Sequence, residues 1–246
     1  MSKVALIVET REHPALPMVL KSVRRVLDDD WKLQIYHGNK NVDYMKKISD
    51  TEWGQNFIMT PMGFDELPQW PESNDLMVSK EFWKQSEGKT ILYFETDCII
   101  CFNSKYTIND FLDFDYIGGY WGNKIPDLDE KYTWIMNGGL SIRKKKFILD
   151  SIKYKHKEYL RRGGNPCEDY FFSACVEDKP LVRDVLSFSI DNGYVAPQVG
   201  VPFGLHKPWG LIPARGHGAG YPETKKVCRT DRDGNYLEEF ERLHNV

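Results

Sequence analysis

No Gly-x-Gly-x-x-Gly follows the first apolar run of this chain, and that absence sets aside the dinucleotide-dependent oxidoreductases, which carry it at their first strand-to-helix turn. The turn here reads Thr10-Arg11-Glu12-His13-Pro14 and contains no glycine. A Gly-rich phosphate loop is therefore missing as well, which counts against a nucleotidyltransferase. No apolar stretch approaches the ~18 residues of a membrane span, and the opening run is short and interrupted at Glu9, unlike a signal peptide. There is no Asn-x-Ser/Thr sequon. Cysteine is scarce, with five residues and no framework spacing. Cys98-x-x-Cys101 lacks the second pair that a zinc site needs, so buried free thiols are the expectation. Those features together predict a soluble protein of a reducing, cytoplasmic compartment. The net charge of −3 provides no basic field for a nucleic-acid backbone.

What the chain does have is length for a sizeable core and many aromatic residues, with 7 Trp, 13 Tyr and 13 Phe in 246 residues. Such rings fill cores, and they also stack on sugars or bases. Residues 3–9 form a continuous apolar run, as for a strand covered on both faces. Leu16, Val19, Leu20, Val23, Val26 and Leu27 then recur at helical spacing behind Pro14. A second strand follows over Leu33–Gly38. Strand, helix and strand in this order predict an α/β domain.

Further along, a proline-punctuated loop is expected over 60–74 and a helix over 74–87. Lys89–Phe94 reads as the next buried strand, Tyr116–Tyr120 and Leu140–Arg143 as short strands, and 144–161 as a helix. Another helix opens at Glu168, edge strands are expected around Phe188–Val195, and a last helix over 236–244. The Gly/Pro-rich stretch from about 202 to 224 reads as a flexible loop. With no repeat or linker in sight, residues 1–246 are expected to form a single domain.

Four clusters carry possible chemistry. Glu95-Thr96-Asp97 closes a buried strand, where an α/β sheet places its ligand crevice. Two such acids can offer oxygens to Mg²⁺ or Mn²⁺, or can be ordinary solvated loop residues. Asn137-Gly138-Gly139 lets backbone approach a ligand closely, or simply makes a turn. Glu168-Asp169 opens a helix, where acids cap on structural grounds and where a general base is also at home. His206-Lys207 lies between aromatics, with Trp209 close behind.

The order of these clusters resembles that of the GT-A glycosyltransferases. The stretches ALIVETREHPAL, LYFETDCII, DYIGGYWG, NGGLSIR, EDYFFS and GLHKPW are, more closely, similar to a family of glycosyltransferase-like proteins first catalogued as a domain of unknown function. Its members occur among giant viruses, microbes and algae, and the likeness runs from about residue 3 to 210. It implies a Rossmann-like GT-A domain with a mixed, mostly parallel sheet flanked by helices. It further implies transfer of a sugar from a nucleotide-diphosphate donor, UDP being commonest in such folds, to a hydroxyl on a glycan, protein or small molecule.

By the same resemblance Asp97 and His206 would ligate Mn²⁺ or Mg²⁺, and Glu95 stands where the usual motif has aspartate. Thr10, Arg11 and Glu95 would meet the donor, and Lys207 and Arg215, the latter beyond the reach of the likeness, would add positive charge beside its leaving diphosphate. Asn137, Gly138, Gly139 and Trp209 would meet the acceptor or the sugar. Glu168 and Asp169 form the catalytic acid pair, with Asp169 the base of an inverting displacement. A virus-encoded protein acting in a host cell fits the same family. The rival readings are a nucleotidyltransferase acting on sugar phosphates and a non-catalytic carbohydrate-binding module. The latter would have no need of Asp97, His206 and Asp169 together.

Overall fold

A computed structural model describes residues 2–68, 72–122, 127–191, 199–208, 228 and 236–244. The opening apolar run is β1 (Lys3–Glu9), followed by α1 (Leu16–Arg24), β2 (Trp31–His37), α2 (Val42–Trp53) and β3 (Phe57–Pro61). The three strands are parallel neighbours, with β1 in register on β2 and β2 on β3. Each strand carries few polar residues because helices flank the sheet and leave little of it to water. In α1, Leu16, Val19, Leu20 and Val23 are buried, Pro17 stands in the first turn, and Lys21 and Arg24 close the last. Positive side chains there complement the helix dipole.

Two elements in this first part were not foreseen. Met45, Ile48, Ser49 and Trp53 of α2 are buried at helical spacing, and Gly54 at φ 58° ends the helix. β3 occupies the start of the stretch expected to be loop. It is only partly buried along its length, so its apolar signal is weak. The helix expected over 74–87 is two shorter ones, α3 (Glu72–Met77) and α4 (Lys80–Lys84). Ser79 separates them, because its hydroxyl caps the second by accepting from the Phe82 N–H.

The chain then returns to the middle of the sheet. β4 (Thr90–Phe94) pairs parallel with β1 on the side away from β2. This reversal of strand order at β1 opens a crevice at the carboxyl ends of β1 and β4. β5 (Cys98–Ile100), β6 (Tyr116–Tyr120) and β7 (Met136–Lys144) follow, and then α5 (Lys145–Tyr154) and α6 (His156–Arg161), which share the predicted helix over 144–161. The last elements are α7 (Glu168–Cys175), α8 (Val182–Phe188), β8 (Ser189–Asp191), β9 (Gly204–His206) and α9 (Tyr236–His244). Among the described residues nine strands form one mixed, mostly parallel sheet in the order β3-β2-β1-β4-β7-β6-β8-β9-β5. This is the α/β architecture that the sequence led us to expect.

Three expectations are corrected. Gly138 and Gly139 lie inside strand β7 rather than in a turn. Pairing with β6 jumps there, from Gly118↔Ser141 to Gly119↔Asn137, so residues 138–140 bulge from the ladder. The stretch expected to be mobile from Pro202 instead begins with a buried strand, β9, held between β8 and β5. Three residues are too few for a period-2 pattern, and the neighbouring Gly and Pro hide them.

The cysteines also differ from expectation, since Cys101 and Cys228 form a disulfide, while Cys98, Cys167 and Cys175 are free. The argument for a reducing compartment thereby loses its support. Residues 209–227, which contain Trp209 and Arg215, lie outside the described residues. Among the described residues no helix is long and apolar enough to cross a membrane.

The disulfide spans 127 residues of sequence. Cross-links over loops of this size stabilise by roughly 2–4 kcal/mol. Protein purified without reductant and then denatured should therefore titrate three thiols with Ellman's reagent. Reduction should lower Tm by about 5–10 °C. Five thiols without reductant would show that the bond does not form.

Candidate active site

The chain ends of β1 and β4 carry the crevice. It is a cavity of about 540 Å³, and Glu9, Thr10, Arg11, Tyr93, Glu95 and Asp97 are among its walls. Glu9 is buried, and Arg11 folds back on it with Nε 2.8 Å and Nη2 2.7 Å from the two carboxylate oxygens. The Thr10 hydroxyl accepts the Leu67 N–H at 2.9 Å. Asn41 donates to the backbone carbonyls of Glu9 and Arg11 and so fixes the turn after β1.

His206 ends β9 in register with Asp191, the last residue of β8, on one side and with Cys98 on the other. Its Nδ1 lies 2.7 Å from Asp191 Oδ1, a contact that is buried on both sides. With Nδ1–H donating to that carboxylate, Nε2 is turned toward the acids that end β4. Nε2 lies 3.2 Å from Asp97 Oδ1 and 3.3 Å from Glu95 Oε2. Nε2 and Asp97 Oδ1 are both buried without an aligned hydrogen bond. Buried polar atoms almost always find a partner, so two that converge on one point ask for a third body between them. Burial works against charge on Asp97, yet His206 and Lys207 hold its carboxyl down at about 2. Burial likewise disfavours an imidazolium, but Asp97, Asp191 and Glu95 together raise His206 well above its ordinary range. The site thus stabilises positive charge at this point.

A hard divalent cation fits this donor set. Asp97 and His206 would hold it, with Glu95 in reach and Asp191 orienting the imidazole. Cys98 is near enough to join, but its thiol is already engaged with the Gly139 carbonyl at 3.0 Å, and burial pushes its ionisation far up. It stays a neutral thiol and a poor ligand.

The β7 bulge explains why two glycines are needed. A Cβ on Gly139 would stand 2.5 Å from His206 Nε2, and one on Gly138 would meet Asp169 Oδ1 at 2.7 Å. The two glycines therefore bring the imidazole and the Glu168–Asp169 pair to opposite ends of one dipeptide. Asn137 links them further, as its Oδ1 accepts the Gly139 N–H at 2.8 Å and its Nδ2 lies 3.4 Å from Asp169 Oδ2. The Gly138 N–H donates to Asp169 Oδ1 at 2.7 Å.

Glu168 and Asp169 open α7, and the Glu168 N–H is capped by Asn74 Oδ1 at 2.5 Å. Beneath them lies Arg143, a residue that the sequence reading passed over. It is fully buried among Trp83, Tyr93, Tyr116 and Phe172, with its guanidinium carbon 4.7–5.7 Å from their ring centres. It donates to the Ser141 hydroxyl and the Gly138 carbonyl and lies 3.5 Å from Glu168. Cys167, Glu168 and Asp169 also cluster closely enough for a metal, but the cation there is already the guanidinium. Burial first, and then the Glu168 charge, push the Asp169 carboxyl well above the usual carboxylate range.

Two features border the acids of β4. Lys207 has φ 48°, the only positive value for a non-glycine among the described residues. Its N–H donates to the Asp97 carbonyl at 3.0 Å. The end of α9 reaches the same turn, where His244 Nε2 lies 3.1 Å from the Thr96 carbonyl. Asp191 and His244 were not singled out from the sequence. Asp191 carries no motif beyond a strand end before Asn192-Gly193, and only the fold brings His244 here.

The chain belongs to the family described as "Protein of unknown function (DUF5672)", whose model matches residues 62–206. No curated protein matches it. Among solved structures it is similar to an active-site mutant of LgtC, at 12% identity and a TM-score of 0.57, over 99% of this chain and 95% of that one. It is also similar to the apo-form glycosyltransferase GlyE of Streptococcus pneumoniae TIGR4, at 12% identity and TM-score 0.54, over 98% of this chain and 64% of that one. A more distant likeness, TM-score 0.45 at 11% identity, is to the mannosyltransferase PcManGT of Pyrobaculum calidifontis in complex with GDP-Man and Mn²⁺. It covers 76% of this chain, which spans 52% of that protein's length. At these identities the likeness is one of fold, and the fold is that of GT-A glycosyltransferases.

Arg143 makes the second acid cluster testable. Arg143→Met removes one partner of a buried pair and leaves the Gly138 carbonyl short of a donor, which should cost about 3–5 kcal/mol and lower Tm by roughly 10 °C. Arg143→Lys should recover little of this, because an ammonium has neither the fork nor the flat face. Thermal unfolding of both variants checks it, and a lysine variant as stable as wild type would contradict the assigned role.

Proposed function

We propose that this chain is a metal-dependent glycosyltransferase that moves a sugar from a nucleotide-diphosphate donor, UDP-linked by preference, to an acceptor hydroxyl with inversion. The observation that carries the reading is the convergence of Asp97 Oδ1 and His206 Nε2, both buried and only 3.2 Å apart yet without an aligned hydrogen bond, at the crevice between β1 and β4. The GT-A fold puts a donor in that crevice.

A divalent cation held by Asp97 and His206 would offset charge developing on the departing diphosphate. Arg11, whose side chain is 63% exposed while it rests on Glu9, would contact the nucleotide, with Thr10 beside it. Lys207, kept cationic against burial by Asp97, Glu95 and Asp191, adds positive potential on the same side. Arg215 and Trp209 keep their expected roles at the donor and the sugar. Asn137 and the bulged glycines shape the floor between donor and acceptor.

Asp169 takes the acceptor proton as that oxygen attacks the anomeric carbon and the bond to the diphosphate oxygen breaks. Glu168 keeps its neighbour's carboxyl raised and therefore basic. A base must be unprotonated to act, so the rate is lost as pH falls through its ionisation. Because the Asp169 carboxyl is raised, the acid limb of kcat/KM should lie well above the ordinary carboxylate value of about 4. Asp169→Asn should abolish that limb along with most turnover. A limb at the ordinary carboxylate pH in wild type would remove Asp169 from the role.

The donor side is tested by thermal shift with UDP and UDP-sugars, with and without Mn²⁺. A ligand at a hundred times its Kd adds about 2.7 kcal/mol, a rise of roughly 5–10 °C for a chain this size. The rise should require Mn²⁺ and should vanish in Asp97→Asn and His206→Ala. Stabilisation that survives EDTA, or that persists in Asp97→Asn, would overturn the metal-dependent reading.

A further inference from the structure

Two exposed indoles stand beside the acid pair, and the donor crevice has no use for them. Trp121 follows directly on β6, and Trp134 lies two residues before β7 begins. The register pairs Tyr120 with Met136, so both tryptophans leave the sheet at the end where Asn137 enters it. Trp121 is 38% exposed and Trp134 60%. Trp121 meets Tyr170 edge-on, with ring centres 6.3 Å apart, and Tyr170 is the neighbour of Asp169 in α7. One aromatic group therefore runs from the sheet end to the start of that helix.

Folding does not require this exposure. Burying a large aromatic side chain stabilises by a few kcal/mol, and the chain buries Trp31, Trp53 and Trp83. Large exposed apolar side chains elsewhere, such as Val42, Phe102, Tyr154 and Leu160, lie on other elements. At this end two exposed indoles sit on adjoining chain ends past the Tyr120–Met136 pair, and Trp121 reaches the acid pair's helix through Tyr170. Glu168 keeps 16% of its side chain in solvent, and the Asn137 amide nitrogen makes one long contact, to Asp169. A flat apolar face bordered by carboxylate and amide suits one ligand chemistry well. A sugar ring presents C–H bonds to an aromatic face while its hydroxyls donate at the edge. A lipid or an apolar peptide laid here would strip water from Glu168 and Asp169 without pairing them.

We propose that Trp121 and Trp134 form a saccharide-binding platform that seats the acceptor, so that the acceptor is a carbohydrate. One hydroxyl of its terminal ring is then turned toward Asp169. The acceptor role rests on the glycosyltransferase reading above, whereas the saccharide site stands on the aromatic cluster itself.

The test is isothermal titration of the full chain, saturated with UDP and Mn²⁺, with the methyl glycosides of glucose, galactose and mannose and with cellobiose, lactose and maltose. At least one should bind wild type saturably. Trp134→Ala should weaken it by about tenfold, the scale of one stacking contact, and Trp134→Tyr should recover part of the loss. UDP–Mn²⁺ binding should be unchanged in both variants, which shows that the fold and the donor crevice are intact. Trp121→Ala should act in the same direction. If no saccharide of the set binds wild type, or if Trp134→Ala binds as wild type does, the platform is overturned. If saccharides bind in a tryptophan-dependent way while UDP with Mn²⁺ does not bind at all, the sugar site stands and the transferase reading falls.

Discussion

The imidazole of His206 is the piece against which the rest of the site is set. Its Nδ1 is tied to Asp191, Gly139 leaves room for its ring, and Nε2 is turned toward Asp97 and Glu95. Four strands must be in register for this to hold. β8 supplies Asp191, β9 supplies the histidine, β7 bulges to clear it, and β4 ends on the acids. A one-residue slip in β9 would turn His206 to the opposite face of the sheet and dissolve the arrangement. The short strands β5, β8 and β9 are buried throughout, and they fix this placement.

Charge divides the site in two. On the β4 side, Asp97, Glu95 and Asp191 gather around the His206 imidazole and favour positive charge there, and Asp97 Oδ1 and His206 Nε2 converge without an aligned hydrogen bond. On the α7 side the acids already have their cation, because Arg143 lies beneath them in an aromatic cage. A buried guanidinium cannot lose its proton and so holds the floor of the acid pair in one electrostatic state. Burial and the neighbouring Glu168 charge raise the Asp169 carboxyl above it. On the proposed reading one half of the site receives a metal and a diphosphate, and the other a proton. The Gly138-Gly139 bulge is the hinge between the halves, since neither half could approach it if a side chain stood there.

Long apolar elements were legible in the sequence because burial on both faces leaves an unbroken signal. β1, β4 and α1 fall close to their expected places. The acids after β4, the paired glycines and the acids opening α7 could be picked out by type and order, and the family resemblance supplied roles that local chemistry left open. Shorter features were hidden for physical reasons. β9 has only three residues, so no alternation can develop. The helix over 74–87 carries one periodic pattern, but the Ser79 cap divides it. Asp191 acts through a partner fifteen residues away, and Cys101 pairs across 127 residues with Cys228. No local pattern encodes such contacts. Arg143 sat inside the quoted stretch NGGLSIR, yet a strand arginine reads as surface until its aromatic surroundings are known.

The central claim is that Asp97 and His206 hold a divalent cation beside a nucleotide. Anomalous scattering at the manganese edge, from crystals grown with Mn²⁺ and UDP, tests it most directly. The account predicts a single strong peak within bonding distance of Asp97 and His206 Nε2, with the diphosphate on its open side. A peak at Glu168–Asp169 instead, or none at His206 while UDP is bound, would contradict it.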